Sequence, residues 1–229
     1  MNYKTLLFDV DDTLLDFKAA EKKALYTLFS EEKLVLTNEI RQKYDRINRQ
    51  LWEDFERGKV KKETISETRF GLLFEELGRK ADGKELGARY MNHLSNGHDL
   101  LGDSKQILEQ LHADYDLYVV TNGIASTQYK RLTDSKLLPL FKDIFVSEEV
   151  GYQKPMKEYF DYVFERIPNF EQEKTMIIGD SLNSDIAGGN QANIETVWLN
   201  PAKVTKQTET KIQPSYEISR LDELFTILG

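Results

Sequence analysis

A chain of 229 residues without a cysteine has room for one large domain, or a core with an insert, and excludes disulfides and thiolate metal sites. Its formal charge of −8 argues against nucleic-acid polymers and acidic membranes as partners, because their phosphates call for a basic face. No apolar run approaches the roughly 20 residues of a bilayer span, and the first strand pattern begins almost at once, so the expectation is a soluble, cytoplasmic protein.

Lys4-Thr5-Leu6-Leu7-Phe8 is a short apolar run, the pattern of a buried strand. Asp9-Val10-Asp11-Asp12-Thr13 stands at its exit. Acidic residues crowded there repel one another and call for a cation. Asp9 and Asp11 point the same way if strand geometry persists through Val10. One can attack an electrophile while the other moves a proton.

Residues 17–96 then read as helix after helix. Ala20, Ala24, Leu25, Leu28 and Phe29 recur at helical spacing, as do Ile40, Tyr44, Ile47, Leu51, Trp52 and Phe55. Phe70, Leu73 and Leu77 follow, then Tyr90, Met91 and Leu94. Gly58, Gly78 and Asp82-Gly83 are the breaks, which predicts a bundle of four or five helices. Trp52 falls on the apolar stripe and reads as core. Arg57, Lys59, Lys61 and Lys62 read as a solvated helix connection, and His93, His98 and His112 show no ligand spacing.

From Asp103 onward helices and strands alternate. Asp103-Ser104 can cap a helix, Leu117-Tyr118-Val119-Val120 is a strand, and Ser126 to Asp134 a helix. Ile144-Phe145-Val146 is a short strand, and Pro155 suits the first turn of the next helix. Thr175-Met176-Ile177-Ile178 is a strand covered on both faces. A helix from Asn183 to Gln191, a strand Thr196-Val197-Trp198-Leu199, a polar loop over 201–214, a strand near Tyr216 and a helix from Arg220 complete the chain. The pattern predicts an α/β protein: a Rossmann-like parallel sheet core, residues 1–16 and 97–229, interrupted by a helical-bundle cap, residues 17–96. Ligands of such sheets bind beyond the carboxyl ends of the strands, and an insert emerging just after Asp9 is expected to lie over that end as a lid.

Three further strand exits carry chemistry. Thr121-Asn122-Gly123 offers a hydroxyl and backbone N–H groups as an anion cradle, although Asn-Gly is also a common turn. Lys154 can reach a phosphate as a point charge. Gly179-Asp180-Ser181-Leu182-Asn183-Ser184-Asp185 supplies hard oxygen ligands for Mg²⁺: Asp180 can ligate directly, and Asp185 can ligate or orient metal-bound water. Asp185 also fits a plain helix N-terminal acid.

Together and in this order, the four motifs Asp9-x-Asp11-x-Thr13, Thr121, Lys154 and Gly179-Asp180-x-x-x-x-Asp185 resemble the haloacid-dehalogenase-like hydrolase superfamily over the whole chain. The resemblance implies that Asp9 attacks phosphorus to form an aspartyl-phosphate, while Asp11 protonates the leaving oxygen and later activates water. It implies Mg²⁺ held by the carboxylates of Asp9 and Asp180 and the backbone carbonyl of Asp11, with Asp185 in support. Thr121, the Asn122 N–H and Lys154 then cradle the phosphoryl oxygens. Asp11 favours phosphate chemistry over dehalogenation, because a halide leaving group needs no proton. Asp12 has no role beyond a turn acid.

Within the superfamily the chain is most similar to the bacterial pyrimidine 5′-nucleotidase branch. The similarity rests on Leu51-Trp52 through Gly58, Arg69-Phe70, Thr121-Asn122-Gly123, Ser147-Glu148-Glu149-Val150-Gly151 and Trp198-Leu199-Asn200. It implies a Mg²⁺-dependent phosphatase acting on nucleoside monophosphates, small-molecule phosphate esters rather than polymers. Phe17, which could stack on a base, and Asn48, which could hydrogen-bond one, are the candidates for selectivity. The alternatives are a phosphatase for sugar phosphates or other small metabolites, and a binding module that keeps the fold without the reaction.

Overall fold

The computed structural model describes residues 3–203 and 212–229. Its first element, β1 (Thr5–Phe8), is followed by four helices: α1 (Phe17–Glu31), α2 (Asn38–Glu56), α3 (Lys62–Glu76) and α4 (Gly83–Leu94). Then come α5 (Ser104–Leu111), β2 (Asp116–Thr121), α6 (Ala125–Asp134), β3 (Asp143–Val146), α7 (Ser147–Val150) and α8 (Lys157–Arg166). β4 (Thr175–Gly179), α9 (Ala187–Gln191), β5 (Glu195–Leu199), β6 (Tyr216–Ile218) and α10 (Leu224–Leu228) follow. The chain divides into two compact units, one of residues 1–16 and 98–229 and the other of residues 17–97. Among the described residues no helix is long and apolar enough to cross a membrane.

In the first unit all six strands run parallel in the order β3-β2-β1-β4-β5-β6. Alternate residues of the apolar strands feed two cores, because side chains on a strand point to opposite faces. Leu6, Phe8, Val119 and Ile178 pack with Ile107, Leu108 and Leu111 of α5 and Leu132 of α6. Leu7, Tyr118, Val120 and Ile177 pack with Tyr159, Phe160 and Val163 of α8. Burial on both faces is what the unbroken apolar runs required. β1 lies between β2 and β4: the chain runs from β1 through β2 to β3 on one side, then crosses back to β4 on the other, the reversal beside which such sheets open a crevice at the carboxyl ends.

The helical unit has its own core, built from Ala24, Leu28 and Phe29 of α1, Tyr44 and Ile47 of α2, Phe70 and Leu73 of α3 and Leu86 and Tyr90 of α4. Helix breaks fall where the sequence placed them: Gly58 and Gly78 adopt φ of +70° and +67°, and the Asp82 side chain accepts from the N–H groups of Lys84 and Glu85. α3 and α4 approach so closely that a Cβ on residue 87 would sit 1.9 Å from the Ser66 carbonyl oxygen.

Several expectations are corrected. Trp52 is half-buried and packs edge-on against Phe55, with ring centroids 5.8 Å apart, outside the helical core. Lys62 is buried, not solvated, and its ammonium stands 5.3 Å from the Phe55 ring centroid. Pro155 precedes α8 by two residues instead of lying in its first turn. Asp103 makes no side-chain cap; Ser104 instead donates to the Leu14 carbonyl oxygen at 2.8 Å. The helix expected from Asn183 opens as a wide turn over Leu182–Ile186 before α9. Part of the polar 201–214 segment, residues 204–211, lies outside the described residues.

Gly87→Ala should therefore destabilise the helical unit by about 1–3 kcal/mol, the usual range for overpacking. Urea unfolding checks this; an unchanged midpoint would contradict the close helix crossing.

Candidate active site

β1 ends at Phe8, and the Asp9 N–H still bonds the Ile178 carbonyl of β4 at 2.9 Å. The chain then turns sharply: the Val10 carbonyl accepts from Leu14 and Leu15, and Asp12 takes a left-handed φ of +56°. Strand geometry thus does not carry Asp9 and Asp11 onto one face. Their carboxylates engage different partners.

Asp9, almost wholly buried, accepts from Lys154 Nζ at 2.8 Å. The same ammonium donates to Asp185 Oδ1 at 2.6 Å and to the Val120 carbonyl at 2.7 Å. All three lysine hydrogens have acceptors. Asp185 Oδ2 accepts from the Ser181 N–H at 3.1 Å. Gly179 makes room for this carboxylate, since a Cβ there would lie 2.2 Å from Asp185 Oδ2. Asp180 follows β4, with its carbonyl held by the Trp198 indole N–H at 2.8 Å.

Carboxylate oxygens of Asp9, Asp180 and Asp185 all come within 4.8 Å of one another. Three carboxylates around one ammonium leave an excess of two negative charges when all are ionised. Burial pushes the Asp9 carboxyl up from 3.8 to about 7, with Lys154 opposing and the Asp185 and Asp11 charges adding to the rise. Burial works against the charged form of Lys154, yet Asp185 and Asp9 beside it hold the ammonium well above the usual lysine range. A hard oxygen set with uncompensated negative charge fits Mg²⁺.

Asp11 stands apart from that trio. Its Oδ2 accepts from Gln128 Nε2 at 2.8 Å and its Oδ1 pairs with the buried Arg131. Gln128 Nε2 also reaches Thr121 Oγ1 at 2.9 Å, which accepts from the Gly123 N–H at 3.0 Å as well. With two donors on its oxygen, the Thr121 hydroxyl has its own proton left to give. The Asn122 side chain clasps the backbone of Lys154, donating to its carbonyl and accepting from its N–H, both at 2.9 Å.

Gln128, Arg131, Ser181 and the Val120 carbonyl were missed by the sequence reading. A signal existed for two of them: Gln128, Arg131 and Leu132 follow helical spacing on the buried face of α6, where a glutamine and an arginine are out of place unless paired. Glu148 accepts from the Ala125 N–H at 2.8 Å and thereby fixes the start of that helix.

In the helical unit, Asn48 joins a buried polar network. Its Oδ1 accepts from Arg69 at 2.8 Å and its amide nitrogen lies 3.5 Å from Glu21 Oε1. Glu21 also pairs with Arg41 and accepts from the Tyr44 hydroxyl at 3.1 Å, and burial raises its carboxyl above the ordinary range. Arg69 stacks over the Tyr90 ring at 4.4 Å. Phe17 is half-buried against the helical core.

Residues 6–199 match the family model described as haloacid dehalogenase-like hydrolase. The chain belongs to that family. Across 227 residues it is 52% identical to the HAD-hydrolase YfnB of Bacillus subtilis, covering 99% of this chain and 96% of that protein. Pyrimidine 5′-nucleotidase PynA of Streptococcus pneumoniae is 41% identical over 229 residues, covering 100% and 96%. Pyrimidine 5′-nucleotidase YjjG of Escherichia coli is 30% identical over 228 residues, covering 100% and 99%. The crystal structure of the Bacillus YfnB, bound to magnesium and revealing interdomain movement, superposes with a TM-score of 0.94 over all of both chains. The expected family and fold are thus correct.

Lys154→Met should cost about 3–5 kcal/mol, because it leaves buried carboxylates without their counter-charge. Asp9 titrates above its unfolded value, so its burial penalty grows as pH rises from about 4 through about 7. The deficit of the metal-free variant should therefore be larger at pH 8 than at pH 5. Urea midpoints at the two pH values check the sign; an equal deficit would contradict it.

Proposed function

We propose that the protein is a Mg²⁺-dependent phosphatase that hydrolyses nucleoside monophosphates, pyrimidine ones above purine ones, through an aspartyl-phosphate. The observation that carries the reading is the buried Asp9–Lys154–Asp185 chain with Asp180 beside it, at the carboxyl ends of β1 and β4. Similarity to two pyrimidine 5′-nucleotidases along their full length supports the substrate class.

Asp9, Asp180 and Asp185 would hold the metal, together with the Asp11 carbonyl. Bound there, Mg²⁺ supplies charge neutralisation for phosphoryl transfer. Asp9 attacks phosphorus, and its new O–P bond forms as the ester O–P bond breaks. Lys154 favours the ionised form of Asp9 against the burial that opposes it, and offsets its repulsion from the anionic substrate. Asp11 gives its proton to the departing oxygen. The resulting Asp11 carboxylate then takes a proton from water as that water attacks the aspartyl-phosphate, releasing phosphate and restoring Asp9. The Thr121 hydroxyl and the Asn122 N–H bind phosphoryl oxygens. Lys154 contributes there as a charge, because its three hydrogens already have acceptors.

Selectivity among leaving groups is assigned to Phe17 and Asn48 of the helical unit. The support is that Asn48 lies in a charged network within an otherwise apolar bundle. Asn48→Ala should change the ranking of nucleoside monophosphates more than the rate on an aryl phosphate; equal loss on all substrates would remove Asn48 from that role.

Phosphate release from a panel of nucleoside monophosphates and sugar phosphates, with Mg²⁺ or chelator and with Asp9→Asn as blank, tests the reading. Chelator-sensitive release concentrated on pyrimidine nucleotides is expected, with none from Asp9→Asn. Release confined to sugar phosphates would replace the substrate class, and silence from folded protein would overturn the reading. Asp180→Asn should shift the Mg²⁺ titration to higher concentration; an unchanged titration would remove Asp180 from the metal site.

A further inference from the structure

We propose that Gln128 and Arg131 of α6 are positioning residues for the Asp11 carboxyl, and that Gln128 couples Asp11 to the Thr121 hydroxyl. The inference rests on the phosphatase reading and adds to it how the proton donor is held.

Both side chains are almost completely buried, at 1% exposure each, on a helix whose first N–H is fixed by Glu148 at 2.8 Å. Burial of an arginine is costly unless its guanidinium is hydrogen-bonded to specific acceptors. Arg131 pairs with Asp11 Oδ1 and also donates to Gln128 Oε1 at 3.2 Å, which orients the amide. The amide nitrogen then faces two oxygens, Asp11 Oδ2 at 2.8 Å and Thr121 Oγ1 at 2.9 Å. A Cβ at residue 123 would come within 2.3 Å of Gln128 Nε2, so the glycine after Asn122 is needed for this amide to lie where it does.

The consequence is geometric. Asp11 has a half-exposed neighbourhood, with 30% of its side chain accessible against 1% for Arg131, and a lone carboxylate there would be free to rotate. Two donors on two different oxygens fix the plane of the carboxyl and the direction of its remaining lone pairs. Proton transfer requires the donor within hydrogen-bond reach of the leaving oxygen, so fixing that plane is worth rate. The link to Thr121 sets the carboxyl in register with a hydroxyl assigned to a phosphoryl oxygen. Proton donor and phosphate cradle then keep one spacing. In the step concerned, the Asp11 O–H bond breaks as the ester oxygen leaves phosphorus and accepts that proton; the electron pair of the broken O–P bond stays with the ester oxygen.

A positioning role predicts a dependence on the leaving group that a purely structural role does not. A p-nitrophenolate leaves without help, whereas a nucleoside or alkyl alkoxide needs the proton. The quantity to read is kcat/KM, which covers steps up to departure of the leaving group. For Arg131→Met and for Gln128→Met, the ratio of kcat/KM on a nucleoside 5′-monophosphate to that on p-nitrophenyl phosphate should fall by about tenfold or more, within the range of general acid catalysis. Arg131→Lys should recover part of the ratio. In an Asp11→Asn background the same two substitutions should leave the ratio unchanged, because the group they position is gone. Equal losses on both substrates, or a further fall of the ratio in the Asp11→Asn background, would overturn the proposal. Should Arg131→Met fail to fold, Gln128→Met, which removes the donors at similar volume, decides the matter. A parent protein that hydrolyses neither substrate would refute the phosphatase reading instead.

Discussion

The Lys154 ammonium is the point on which the site depends. It joins Asp9, just beyond β1, to Asp185 in the turn after β4 and to the Val120 carbonyl of β2. A buried charge of this kind is costly to desolvate, and its cost is offset only where every hydrogen finds a good acceptor. Here three do. Remove the lysine and two buried carboxylates lose their shared counter-charge; remove either carboxylate and a buried ammonium loses an anion.

The remainder of the core unit can be understood as support for that contact. β1 lies between β2 and β4, so their carboxyl ends lie side by side. Gly179 leaves space for Asp185, and the Asn122 side chain ties down the Lys154 backbone. Trp198, from the next strand, holds the Asp180 backbone. The excess negative charge that results is a liability for stability. It is also what makes the site suited to a divalent cation and an anionic nucleophile.

Much of this was legible in the chain. Unbroken apolar runs such as Thr175-Met176-Ile177-Ile178 revealed strands covered on both faces, and the change from continuous helical spacing to alternation located the insert. The acidic motif, Lys154 and Asp180 were singled out because strand exits are where such folds keep their chemistry. What escaped was tertiary. Arg131 is distant from Asp11 in sequence, and although Gln128 and Arg131 stand out on the buried face of α6, only the folded structure shows which group they pair with. Lys62 misled because its neighbours are basic and a lysine's long apolar stem can be buried against a ring. The partners of Asn48, Arg69 and Glu21, come from two other helices and could not be paired with it from spacing alone.

The central claim is that Asp9 becomes phosphorylated. The most direct test is to mix Asp11→Asn protein with p-nitrophenyl phosphate and Mg²⁺, quench in acid, and map modified peptides by mass spectrometry. p-Nitrophenolate leaves without a proton, while loss of Asp11 slows attack by water, so the intermediate should accumulate. The account predicts a phosphoryl group on Asp9. Release of p-nitrophenol by the same protein with Asp9 unmodified, or with the phosphoryl group on another residue, would contradict it.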